Sequence, residues 1–198
     1  MKLAREFYLR TGLDVARDLI GKKLVHRTAD GVASGIIVET EAYMGAIDAA
    51  AHSYKGFTER TKIQFGAGGY AYVYHIYGMH FCMNVVANVE NIPDAVLIRA
   101  LEPVDGVELM KLRRGKNNLR DLCSGPGKLA QALAITKNHY GVDLCGDELF
   151  IETAISNPAV TATKRINIDY AGDAANFLWR FILTDNKFIS TKVNPNPS

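Results

Sequence analysis

Glu39, Glu41 and Tyr43 occupy alternate positions in the run Val38-Glu39-Thr40-Glu41-Ala42-Tyr43. In an extended strand alternate side chains share a face. Two carboxylates and a phenol would then point one way, with Val38, Thr40 and Ala42 on the other side. Carboxylates are poor strand formers and repel one another across a face, so this pattern calls for a compensating partner. A carboxylate in such a setting can activate a water or steady a cationic, sugar-like transition state. A solvated strand face is the commoner reason for glutamates in a strand, and spacing alone leaves both readings open. The Cα separation of about 6.5–7 Å also admits a carboxylate pair acting on a small glycoside. His52 follows a run of alanines (Asp48-Ala49-Ala50-Ala51-His52). It reads either as a proton carrier or as a helix-end histidine bonded to backbone.

Tyr70, Tyr72, Tyr74 and Tyr77 crowd the next chemically suggestive stretch. The first three share a strand face, and Tyr70 and Tyr72 read as packing residues. Tyr77 belongs to the other alternation and lies beside Gly78, at the tip of an expected hairpin. A large aromatic exposed there needs a partner. It has the shape of a wedge that fills the gap left by an everted base. Stacking on an aromatic contributes roughly 1–3 kcal/mol, comparable to the few kcal/mol that unstacking costs. Further on, Leu122 to Leu129 reads LCSGPGKL. Amides at a helix start beside Lys128 suit an anion. Leu122 and Leu129 stand where a nucleotide-triphosphate loop requires glycine and Ser or Thr, so that ligand is disfavoured. A single DNA phosphate fits, with Arg113, Arg114, Lys116 and Arg120 close in sequence. A capped helix beside a solvated basic loop is the plain alternative.

These residues need elements to hold them. A helix is expected over Leu13–Leu19, capped by Thr11 and ended by Gly21. Lys22–Thr28 and Ser34–Tyr43 read as strands joined at Asp30-Gly31. Residues 44–69 form a long strand-poor connection, the kind that is functional or disordered. Tyr70–Ala87 reads as the hairpin, Ala95–Leu101 as a strand ending before Pro103, and Gly106–Leu112 as a short helix. Arg113–Arg120 reads as a basic loop, and Ser124–Ala134 as a turn and helix. Leu149–Thr153 and Phe177–Thr184 close the set as strands, with residues 194–198 a frayed tail. Without a βαβ rhythm, this order predicts an α+β fold of one domain over residues 1–198. Its sheet is largely antiparallel and curved, with surrounding helices and a protruding hairpin.

Composition narrows the class. The 198 residues are 48% hydrophobic and 22% charged, as in ordinary folded domains rather than disordered ones. The net charge of +2 means that any contact with nucleic acid must rest on local clusters. Cys82, Cys123 and Cys145 have no paired spacing. They read as reduced thiols of an intracellular protein, without a structural zinc site. No signal peptide or membrane-spanning run is recognised.

Together the motifs VETEAYMG (38–45), AAHS (50–53), YVYHIYGMHFCMN (72–84), LIRALEPVDG (97–106) and LCSGPGKLAQAL (122–133) resemble the alkyladenine (3-methyladenine) DNA glycosylase family. The likeness runs from about Leu3 to about Ile189, and the order and spacing of the motifs carry it. The resemblance implies removal of alkylated and deaminated purines from double-stranded DNA, without metal or cofactor, by a monomer of the cytoplasm, nucleoid or nucleus. It implies that Glu41 is the general base and that Arg99 helps orient the attacking water. Tyr43 and Tyr74 would sandwich the everted base, with His52 closing the pocket and Asn84 at its floor, against the 2-amino group of guanine. Tyr77 would be the wedge with Met79 beside it, and Ser124, Gly125, Gly127 and Lys128 would hold backbone phosphate. TERTKIQF (58–65) departs from the family's usual pattern at Thr61 and Gln64, Asn167 replaces a common glycine, and Leu178 a common proline. Three rival readings compete: a non-catalytic binder of damaged or bent DNA, a helix-hairpin-helix glycosylase using Asp143, and a glycoside hydrolase using Glu39 with Glu41.

Overall fold

The computed structural model describes residues 1–76 and 80–192. A short helix α1 (Arg5–Tyr8) precedes α2 (Gly12–Leu19), whose first turn is capped as expected: the Thr11 hydroxyl accepts from the Asp14 amide at 3.2 Å. Strand β1 (Lys23–Thr28) turns through Asp30-Gly31 into the long β2 (Gly31–Met44). The turn needs a residue at φ +132°, which glycine supplies.

Strands β3 (Ala71–Ile76) and β4 (His80–Ala87) form the hairpin, and β5 (Asp94–Pro103) follows. The sheet order is β3-β4-β5-β2-β1-β6, with β6 at Leu149–Glu152. Past the end of β1, the same edge of β2 takes β8 (Arg180–Leu183), which β7 (Val160–Thr163) extends. Every pairing is antiparallel. The chain has the α+β architecture and the curled antiparallel sheet that its sequence predicts.

The register of β2 against β5 slips twice around Glu39, passing over Val38 and Arg99. Bulges of this kind bend a strand and re-aim side chains. Here they correct one expectation. Thr40 and Ala42 do face away from Glu41, toward α2, but Val38 does not: it joins Ala100 and Ile182 in a small apolar cluster on the Glu41 side.

The main core lies on the other face. Ile37, Ile98, Leu101 and Val85 of the sheet pack against Val15 and Leu19 of α2, Met110 of α3 (Val107–Arg114), Leu122 of α4 (Arg120–Cys123) and Leu129 of α5 (Pro126–Ala132). Fully burying each such side chain contributes about 1.5–3 kcal/mol. Several boundaries differ from expectation. The basic loop is shorter than expected, residues 115–119, because α3 continues through Arg114 and α4 begins at Arg120. Four-residue α1 and β7 are too short to show periodicity. Residues 194–198 lie outside the described residues. Among the described residues no helix is long and apolar enough to cross a membrane.

Candidate active site

Strand β2 delivers Glu41 with no exposed surface at all. Burying a lone carboxylate is costly unless it is paired and hydrogen-bonded, and here it is both. Its Oε2 accepts from the Tyr43 hydroxyl at 2.9 Å and from Arg99 Nη1 at 3.1 Å. Its Oε1 accepts from the Ile166 amide at 2.7 Å. A carboxylate has about four lone-pair directions, so one remains on Oε1.

Glu39 is equally buried but has a different neighbourhood. It accepts from Arg180 Nε at 2.7 Å, Arg99 Nε at 3.1 Å, the Ser190 amide at 2.5 Å and the Ser190 hydroxyl at 2.9 Å. Three of these four donors converge on Oε1 and one reaches Oε2. The carboxylate repulsion expected from sequence is thus relieved by Arg99, which bridges both glutamates, and by Arg180. Burial works against the charge of Arg99, and the two carboxylates outweigh it, holding the guanidinium cationic. Tyr43 is pushed well above the ordinary phenol range, first by burial and then by the Glu41 charge, so its hydroxyl stays a donor.

Tyr43, Arg99 and Ile166 are both the partners of Glu41 and part of the lining of a cleft of about 400 Å³. Glu41 sits immediately behind that wall. Tyr72 and Tyr74 of β3 also line the cleft, with ring centres 5.3 Å apart. Asn84 of β4 also lines the cleft and donates from Nδ2 to the Tyr72 carbonyl at 3.2 Å. His52 opens a 3-10 turn (His52–Lys55). Its ring meets Tyr74 edge-on at 4.6 Å, and its Nδ1 lies 2.9 Å from the Tyr72 hydroxyl. Desolvation and the Arg60 cation lower His52 to about 4, so the ring is neutral at pH 7 although it stands at the open mouth. Arg60 lies over the Tyr74 ring at 5.1 Å. Desolvation keeps Tyr74 far above the usual phenol range.

The structure therefore gathers Glu41, Arg99, Tyr43, Tyr74, His52 and Asn84 around one cavity. Tyr77 and Met79 lie outside the described residues. The segment Ser124, Gly125, Gly127 and Lys128 flanks the cleft: Pro126 reaches its lining. A Cβ on Gly127 would come within 3.1 Å of His80, the first residue of β4. Lys128 is exposed, with Nζ 3.4 Å from the Ser124 hydroxyl. The basic loop is only partly available. Arg113 donates to Ala132 O and the Thr28 hydroxyl, and Arg114 to Gln131 and Asp121 O, so both act as internal struts.

Sequence reading gave no site role to Tyr72, Arg60, Gln64, Arg165 or the Ile166 amide. Tyr72 read as packing, yet it lines the cleft. The Ile166 amide carries no side-chain signal at all. It follows Arg165, which is anchored by a buried bidentate pair with Asp48 (2.5 and 2.9 Å) and stacks 4.8 Å over Tyr43. It precedes Asn167, whose φ of +57° explains why a glycine or asparagine suits that turn. Gln64, the departure noted in the 58–65 stretch, lies in a 3-10 turn (Lys62–Phe65) and also lines the cleft. It is 2% exposed, and its Nε2 has no hydrogen-bond partner among the described residues.

The profile of the methylpurine-DNA glycosylase family matches residues 6–187. The chain belongs to that family. Relatives are similar over nearly the whole length. A protein of Alkaliphilus oremlandii (strain OhILAs), named a candidate 3-methyladenine DNA glycosylase, is 54% identical over 97% of this chain and 100% of its own. One of Bacillus cytotoxicus with the same name is 52% identical over 96% and 100%. One of Clostridium acetobutylicum, also so named, is 47% identical over 96% and 98%. In this methylpurine-DNA glycosylase family member the rival sites are occupied otherwise. Asp143 pairs with Arg5 at 2.6 Å and accepts from the Cys145 amide at 2.8 Å, away from the cleft. Glu39 is tied to Arg99, Arg180 and Ser190 and does not line the cleft, which sets it apart from a carboxylate free to act with Glu41 on a glycoside.

Proposed function

We infer that this chain is a monofunctional DNA glycosylase that everts an alkylated or deaminated purine from duplex DNA and hydrolyses its bond to C1′. The observation that carries this reading is the buried Glu41 carboxylate, fixed by three donors directly behind an aromatic cleft and left with one accepting direction. A water held by that lone pair gives its proton to Glu41 as its oxygen attacks C1′, and the C1′–N bond breaks with its electron pair passing to the base. Ring-alkylated purines are cationic and leave readily. The negative charge of Glu41 also opposes the positive charge that builds on the sugar. Neutral lesions need donors, and the cleft offers Arg60, neutral His52 and Gln64. No lysine stands among the described residues that line the cleft, so a Schiff-base step is not proposed.

The remaining roles follow the same reading. Tyr43 and Tyr74 stack on the base, and His52 closes over it. Asn84 excludes the 2-amino group of normal guanine. Tyr77 and Met79 enter the duplex, while Ser124, Gly125, Gly127 and Lys128 hold a phosphate. The protein acts as a monomer inside the cell and initiates base excision repair. Its test is base release from oligonucleotides bearing hypoxanthine, ethenoadenine or 3-methyladenine. The lesion strand should become alkali-labile at the damaged position and stay intact without alkali. Retention of lesion DNA with no release of any of the three would favour a non-catalytic binder instead.

A further inference from the structure

His26 of β1 and His139, at the end of a 3-10 turn (Lys137–His139) beyond α5, are separated by most of the chain yet meet in the interior. They are 1% and 8% exposed. Their Nε2 atoms face each other at 3.1 Å. The Glu148 carboxylate, just before β6, places Oε1 3.8 Å from one Nε2 and 3.6 Å from the other, beyond hydrogen-bond reach of both. Three potential donors thus converge on one point from three elements, and none of these residues lines the cleft.

The ring protons can be placed from the partners. His26 Nδ1 lies 2.6 Å from the Leu133 carbonyl, which can only accept, so Nδ1 carries the proton and Nε2 presents a lone pair. His139 Nδ1 lies 3.0 Å from the Thr136 amide and 3.3 Å from the Thr136 carbonyl. It therefore has an acceptor role and a donor role available. In the first, His139 Nε2–H donates to His26. In the second, the proton moves to Nδ1 and both Nε2 lone pairs point inward.

We propose that His26, His139 and Glu148 form a binding site for one divalent cation of the zinc class. Zinc bonds of about 2.0–2.2 Å imply ligand–ligand separations of about 3.3–3.5 Å in a tetrahedron. The observed distances of 3.1, 3.6 and 3.8 Å bracket that value. Two imidazoles and one carboxylate favour zinc, cobalt or nickel over magnesium or calcium, which prefer all-oxygen sets. Both imidazoles would then donate Nδ1–H to a backbone carbonyl, the support that metal-bound histidines usually have. Binding needs no net loss of a proton: His139 shifts its own from Nε2 to Nδ1, giving up the bond from the Thr136 amide for one to the Thr136 carbonyl. Glu148, with its side chain 63% exposed, is the open side through which the ion enters and the fourth ligand, water, is held. The site joins β1, the start of β6 and the segment beyond α5, so its effect is structural.

The test uses the full chain, stripped of metal by chelation and titrated with Zn²⁺ or Co²⁺ alone. One equivalent of Co²⁺ should give the intense visible absorption of a tetrahedral ion, and one equivalent of Zn²⁺ should raise Tm. Glu148→Gln, at an exposed position that leaves the fold intact, should weaken binding at least tenfold, and His139→Gln should abolish the cobalt band. The proposal fails if no saturable binding is found, if the cobalt spectrum is octahedral, or if Glu148→Gln binds with the affinity of the parent.

Discussion

At the residue scale, two neighbouring glutamates of one strand have opposite fates. Glu39 is held by Arg99, Arg180 and Ser190 and serves the fold, so Glu39→Ala leaves Arg180 and part of Arg99 buried without their counter-charge. Breaking such a pair costs about 3–5 kcal/mol, and urea unfolding should show a loss of that size. Gln64 contributes an amide with no described partner inside the cleft. Gln64→Met keeps the volume and removes the polarity. It should lower hypoxanthine release about tenfold, the scale of a single hydrogen bond of about 1.5 kcal/mol, and change 3-methyladenine release far less. Single-turnover rates on the two lesions would measure that ratio. His52 sits near 4 because burial and Arg60 disfavour its cation. Its depressed value means that the unfolded chain takes up this proton first, so its contribution to stability is present above pH 6.5 and declines from there toward pH 4. The His52 ring signals in an NMR titration should accordingly stay those of neutral imidazole from pH 8 to pH 5.

At the scale of elements, the sheet alone does not complete the site. The 164–176 segment turns back over β2 to present the Ile166 amide, and the Arg165–Asp48 pair ties it to the connection after β2. Arg165→Met should cost about 3–5 kcal/mol by stranding buried Asp48, and it should lower the rate of the chemical step beyond any change in DNA affinity. Parallel unfolding and single-turnover measurements separate the two effects. This level also shows what the sequence could convey. Thr11, Gly21 and Asp30-Gly31 marked the ends of elements because capping and turns are local. Alternation placed Glu41 and Tyr43 together because the strand period is local too. The double bulge that turns Val38 to the Glu41 side, the capture of Glu39 by Ser190, and the Ile166 amide are non-local. Each depends on residues that only folding brings near, and an amide has no residue type to betray it. Tyr72 was visible but ambiguous, since a packing tyrosine and a cleft tyrosine have the same pattern.

At the scale of the whole molecule, modest net charge has a consequence for DNA contact. Arg113 and Arg114 are bound internally, which leaves Lys116, Arg120 and Lys128 as the exposed cations of the segment flanking the cleft. Few phosphate contacts imply a shallow salt dependence, with a slope of about −0.9 per contact. Lys128→Gln should reduce that slope by about one and leave base release at saturating protein unchanged, read from binding isotherms over a salt series. The central claim concerns Glu41, and its most direct measurement pairs two readouts on Glu41→Gln. The glutamine keeps the size of the side chain and two of its acceptor directions but cannot take a proton. Affinity for an oligonucleotide bearing hypoxanthine should stay within a few-fold of the parent, while single-turnover release of hypoxanthine falls by about 10²–10⁴, the usual weight of a general base. Release at the parent rate, with affinity preserved, would contradict the account.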